Sequence, residues 1–178
     1  GDIFLMPETS TNNRLEIYKC KMFPNEWELY TTAFEGEKVV DAFFYTDKNK
    51  TKWLFVNKKA NFNLPTANEL FIYKVNQQNL KDLEAHKNNP VIINSKVARN
   101  RGAIFEYENE IYRPSQANID GVYGRALNIN KIEKLTIDEY IEKTIVTAYP
   151  NFYKGLISMH HLHQANGLFA IDAAYKKK

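Results

Sequence analysis

Short apolar runs rich in aromatic and β-branched residues recur along the chain between polar turns, and they fall into register when aligned on one another. Four of them, Ile3-Phe4-Leu5-Met6, Lys52-Trp53-Leu54-Phe55, Glu110-Ile111-Tyr112-Arg113 and Gly167-Leu168-Phe169-Ala170, start 49, 58 and 57 residues apart. A second strand is expected after the first three, over 15–21, 69–75 and 124–132. A third, outer strand is expected over 27–32, 90–94 and 141–146. A leading strand precedes the later inner pairs, over 39–45, 102–106 and 155–161.

Four short antiparallel strands at such an interval predict an all-β chain of β-propeller blades. One twisted sheet cannot bury both of its faces without a neighbour on each side. The first unit lacks its leading strand and the last stops after two. Residues 1–178 are therefore expected to be a single β-propeller domain or a fragment of one that begins mid-blade, its remainder supplied by upstream sequence or another chain. One helical alternative stands over 135–146, where Thr136 precedes Glu139 by three residues in the pattern of a capping box.

Composition narrows the function classes. Eleven Tyr, eleven Phe and two Trp against seven Gly and six Pro suit half-buried strands. A net charge of +3 is too small to argue for nucleic acid, and Lys176-Lys177-Lys178 reads as a solvated tail. No apolar run reaches the roughly 20 residues of a membrane span, and no signal-peptide pattern opens the chain. Cys20 is alone, which excludes an intrachain disulfide and allows a reducing, cytoplasmic location. Phosphate loops, nucleophile elbows and paired zinc dipeptides are missing, and Ser10 and Ser95 have no triad context. His160, His161 and His163 form the one metal-like cluster; alternation puts His161 and His163 on one face, but two ligands make no site, so neither metal nor cofactor is expected.

The chain resembles the propeller domain at the N-terminus of plant glucosamine inositolphosphorylceramide transferases and its relatives in bacterial glycan-modifying loci. The resemblance runs nearly end to end. It rests on Phe4-Leu5-Met6-Pro7-Glu8-Thr9, Leu15-Glu16-Ile17-Tyr18, Phe23-Pro24 with Trp27, Val40-Asp41, Trp53-Leu54-Phe55, His86 and Asn89-Pro90. It continues through Ala98-Arg99 with Gly102, Tyr112-Arg113-Pro114 with Gln116, Tyr123-Gly124, Leu135-Thr136 with Tyr140-Ile141-Glu142, and Ile171-Asp172. It implies a five-bladed, glycosidase-like fold of which this chain covers about the last three to four blades, with the missing sequence mostly before Gly1.

Glycoside hydrolysis needs two carboxyl groups across the scissile bond. By the same resemblance Asp41 is either the aspartate that tunes the acid or a structural turn residue. The general acid, a glutamate before glycine, is replaced within Ala98-Arg99-Asn100-Arg101-Gly102 by arginine, so hydrolysis by this chain alone is not expected. Arginine suits a carboxylate, sulfate or phosphate instead. The resulting expectation is a sugar or sugar derivative bound in an axial pocket by Glu8, Asp41, Arg99, Arg113, Gln116, Tyr123 and His161, with carbohydrate or sugar phosphate as partner. Some have a plainer role open to them, Glu8 in a salt bridge and Arg113 paired with a neighbouring blade's acid, and Trp53, which could stack on a sugar face, is expected to be plain core. The alternatives are a glycosidase-like or sugar-transferring enzyme completed by upstream blades, and a structural module for a fused or associated glycosyltransferase or formyltransferase domain.

Overall fold

The computed structural model describes residues 1–58, 68–75 and 82–175, and among them there is no α-helix. The tail Lys176-Lys177-Lys178 lies outside the described residues. Four antiparallel sheets follow one another along the chain, as the blades of a β-propeller do.

The first sheet is β1 (Phe4–Leu5), β2 (Leu15–Met22) and β3 (Glu26–Ala33). The second is β4 (Val39–Thr46), β5 (Lys52–Lys58), β6 (Glu69–Val75) and β7 (Leu83–Ala85), with β8 (Ile92–Ile93) pairing the other end of β6. The third runs β9 (Phe105–Tyr107), β10 (Glu110–Ile119), β11 (Val122–Leu135) and β12 (Tyr140–Ala148). The fourth pairs β13 (Leu156–Ala165) with β14 (Leu168–Tyr175).

The apolar residues divide into three cores, each pressed between successive sheets. Leu15 and Ile17 of the first sheet meet Val39, Leu54, Val56, Phe71 and Tyr73 of the second. From the other face of the second sheet, Phe43, Trp53, Phe55, Leu70 and Ile72 meet Leu135, Ile137 and Tyr140. Leu127 and Ile129 of the third sheet meet Met159 and Leu162 of the fourth. Alternate residues of β5 thus serve opposite cores, which is why its middle five residues are all buried.

The strand expected over 141–146 forms as β12, so the helical alternative is set aside, and one expectation is corrected. No helix forms over 135–146. The Thr136 hydroxyl does accept the Glu139 amide hydrogen at 2.9 Å, but the Thr136 amide also donates to the Glu139 carbonyl at 2.9 Å, which closes a turn between β11 and β12. A capping box and a hairpin turn share this Thr-x-x-Glu spacing, and the β-branched run Thr144-Ile145-Val146-Thr147 favours strand. Nor is 90–94 a full outer strand. Leu83–Ala85 takes most of that place and Ile92–Ile93 adds two pairs.

Candidate functional site

Segments from all four sheets converge on one cluster of polar side chains. Glu8 follows β1, Asp41 lies on β4, Arg99 and Arg101 lead into β9, Tyr123 is on β11, and His160 is on β13. Two strand irregularities aim the groups. Between the pairs Val40–Asn57 and Phe43–Phe55, two residues of β4 face one of β5, and Asp41 there takes a left-handed φ of 50°. On β13, Met159 and His161 pair with consecutive residues of β14, which leaves His160 as the extra residue of a bulge. Bulges redirect side chains in this way beside functional sites.

Glu8 accepts the Ser10 amide at 3.0 Å on one carboxylate oxygen and the Asp41 amide at 3.2 Å on the other, which ties the first two sheets. Arg99 donates Nε to Asp41 Oδ2 at 2.6 Å and lies with its guanidinium carbon 5.3 Å from the Tyr123 ring centre. Arg101 approaches the same ring to 4.8 Å. Its terminal nitrogens donate to the His160 carbonyl and to Gln116 Oε1. The Tyr123 ring is half-exposed and sits 6.0 Å from the His160 ring, whose Nδ1 is 3.2 Å from Asp172 Oδ2. A small cavity of about 160 Å³ opens beside Asp41, bounded by Met6, Pro7, Glu8, Val39 and Ala42.

Below this cluster lies a buried polar layer. Asn100 donates its side-chain amide to the Asp41 carbonyl at 3.0 Å and its backbone amide to Asn57 Oδ1 at 2.7 Å. Asn57 in turn donates to the carbonyls of Glu69 and Ala98. Each buried amide here has a partner, so the layer holds the backbone of Asp41 in its unusual conformation.

Of the expected site residues, Glu8, Asp41, Arg99 and Tyr123 are gathered at the convergence point. Arg113 and Gln116 are not open to a ligand there. Arg113 is 0% exposed and is held by Glu142 of its own sheet through Nε at 2.8 Å and Nη2 at 2.6 Å. Its remaining donors go to Asn100 Oδ1 and to the carbonyls of Val97 and Ala98. Gln116 is also fully buried, with its carbonyl taken by Arg101 and its amide given to Asn118. His161 stacks on His163 with ring centres 6.1 Å apart, as strand alternation requires, and it is His160 that reaches Tyr123. No group of three or more His, Cys, Asp or Glu is placed to hold a metal among the described residues. Trp53 is core, 3% exposed, with its indole N–H on Asp47 at 3.0 Å. Arg101 is the residue that sequence reasoning passed over. Its spacing of two from Arg99 in an extended segment puts both on one side and Asn100 on the other, and that signal was present.

Burial pushes the Asp41 carboxyl above its ordinary value, against the opposing pull of Arg99 and Arg101. The folded chain then holds this proton more tightly than the unfolded one, so stability falls as pH rises from the ordinary carboxylate value through the raised one. Asp41→Asn is expected to flatten that decline in urea denaturation from pH 4 to 7. An unchanged profile would refute the assignment.

Comparison with known proteins bears on the family and the fold. A family model described as glucosamine inositolphosphorylceramide transferase 1, N-terminal, matches residues 1–165. Glucosamine inositolphosphorylceramide transferase 1 of Oryza sativa subsp. japonica is 32% identical over 157 residues, 87% of this chain and 21% of that protein. The Arabidopsis thaliana protein of the same name is 27% identical over 166 residues, 92% of this chain. The chain thus spans about a fifth of the length of these relatives. Among solved structures, an exo-β-1,3-galactanase of Phanerochaete chrysosporium with bound β-1,3-galactotriose superposes over 83% of this chain and 33% of its own, with a TM-score of 0.52 at 12% identity. A GH43 glycoside hydrolase engineered to show endo-xylanase and exo-arabinofuranosidase activity superposes over 94% of this chain and 34% of its own, at TM-score 0.52 and 10% identity. The sheets and their order are those of this propeller fold, and the chain belongs to the family of the N-terminal region of glucosamine inositolphosphorylceramide transferase 1.

Proposed function

We propose that this propeller binds a sugar or sugar derivative where its four sheets converge, and that in the longer proteins of the family it presents that sugar to chemistry carried elsewhere in the chain. The observation that carries the reading is Tyr123. It is a half-exposed aromatic ring with two guanidiniums over it, their carbons 5.3 and 4.8 Å from its centre; one of them, Arg99, is bound to Asp41, whose amide donates to Glu8. A flat apolar ring bordered by fixed donors and acceptors is the usual way to hold a pyranose, whose axial hydrogens pack on the ring while its hydroxyls take the hydrogen bonds. The relatives' name describes transfer of a glucosamine, and the solved neighbours act on glycans.

The same residues are poorly suited to hydrolysis. A guanidinium stays protonated at any working pH and cannot serve as the proton donor to a leaving group. Where the resemblance calls for a general acid, Arg101 is locked onto Gln116 and the His160 carbonyl. Asp41 is engaged by Arg99.

Titration of isotopically labelled protein with a panel of monosaccharides, amino sugars and sugar phosphates tests the proposal. Saturable shifts centred on Tyr123, Arg99 and Asp41 are expected. Tyr123→Ala should weaken binding at least tenfold, about 1.4 kcal/mol, while leaving the fold intact, because the ring is half in solvent. A panel that binds nowhere near this cluster, or binds Tyr123→Ala equally well, would overturn it.

A further inference from the structure

The two guanidiniums on Tyr123 are unequally employed. Arg101 is 3% exposed and donates only to neutral acceptors, and its Nε is buried with no acceptor among the described residues. Arg99 gives only Nε to a protein group, and its two Nη nitrogens meet no acceptor among the described residues. The Arg99 side chain is 16% exposed, so that outer fork borders solvent beside the ring.

The nearby carboxylates are already engaged. Both oxygens of Glu8 accept backbone amides, Asp172 faces His160, and Asp41 takes Arg99 Nε. Among the described residues Asp41 is the only carboxylate that touches either guanidinium, through Arg99 Nε, and Arg101 has no direct carboxylate contact. Arginine cannot shed its proton, and a buried charge is costly unless a counter-charge meets it.

We infer that the ligand of this site carries an oxyanion, a uronate carboxylate or a phosphate monoester, gripped by the outer fork of Arg99 with Arg101 as a second positive charge behind it. This rests on the sugar-binding reading and deepens it: Tyr123 takes the ring and Arg99 the charge. A planar fork matches two oxygens of either group, which a lysine cannot do.

The test uses inorganic phosphate first, then galactose, galacturonate and galactose 1-phosphate, read by the Arg Nε–Hε resonances and by calorimetry. Phosphate should shift the Arg99 resonance, and at least one acidic sugar should bind tenfold or more tightly than galactose, the stronger of the two naming the source of the oxyanion. Added salt should narrow the gap. Arg99→Gln should abolish the preference while keeping weak binding of the neutral sugar. Arg99→Lys, which retains a cation for Asp41 without the fork, should lose most of it while staying folded. If galactose binds as tightly as both acidic forms and phosphate shifts nothing, the oxyanion is wrong and the sugar site stands. If acidic preference survives in both variants, the clamp is not Arg99. If neither phosphate nor any sugar binds at the cluster, both readings fall.

Discussion

Glu142→Leu is expected to lower stability by about 3–5 kcal/mol, the usual consequence of removing one partner from a buried ion pair. Arg113 has no access to water, and Glu142 is the carboxylate that meets it, through two parallel hydrogen bonds. With leucine in place the guanidinium charge stays buried among neutral carbonyls and Asn100. The damage should also reach the ligand site, because Arg113 holds Asn100 at 3.0 Å and Asn100 holds the Asp41 carbonyl at 3.0 Å. Urea denaturation measures the first effect and sugar affinity the second. Pairing the change with Arg113→Met should recover part of the stability but not the order of Asn100. A loss under about 1 kcal/mol for the single variant would show that water or a rearranged carboxylate reaches Arg113.

Gly102→Ala should be of similar severity, about 3 kcal/mol or more, and should act on one part of the molecule. A methyl group there would lie 1.8 Å from the Leu162 carbonyl oxygen and 2.9 Å from its carbon, at a φ of 133° that suits glycine. The obstacle is backbone, not a side chain that can turn aside. Relief requires β13 to move away, which breaks the hydrogen bond from the Leu162 amide to the Arg101 carbonyl at 2.9 Å. Hydrogen exchange should show protection lost in β13 and β14 while β5 and β6 keep theirs. Gly36→Ala is the control. Its φ is 86°, but nothing lies within 4 Å of the new methyl, so a cost on the order of 1 kcal/mol is expected. Equal losses in the two variants would mean that backbone conformation, not the contact with Leu162, governs Gly102.

The strands were legible in the sequence because aromatic and β-branched runs such as Trp53-Leu54-Phe55-Val56 can bury both faces only in a stacked sheet. The outer strands were harder to place. Leu83-Glu84-Ala85 is too short for its alternation to stand out and is a strand because β6 offers it an edge. Thr136 misled because its local chemistry fits two structures, and the next strand decides between them. At the site, Asp41 was legible through the family resemblance, but its bulge was not, since no glycine marks the left-handed position. Arg99 and Arg113 look alike in sequence and part company for a reason three-dimensional packing alone supplies. Glu142 lies two strands from Arg113 in the same sheet and removes it from the site, whereas Arg99 finds one aspartate from another sheet and keeps half its fork.

Each of the four described sheets contributes at least one group to the cluster around Tyr123, so a molecule bound at the proposed site would act as a keystone, touching all four while being held by none alone. Its binding free energy adds to folding by mass action and is divided among interfaces tens of residues apart in the chain. Saturating sugar should therefore suppress the opening of the first and last sheets together, in one cooperative step, and proteases that nick the edge strands would report occupancy of the centre.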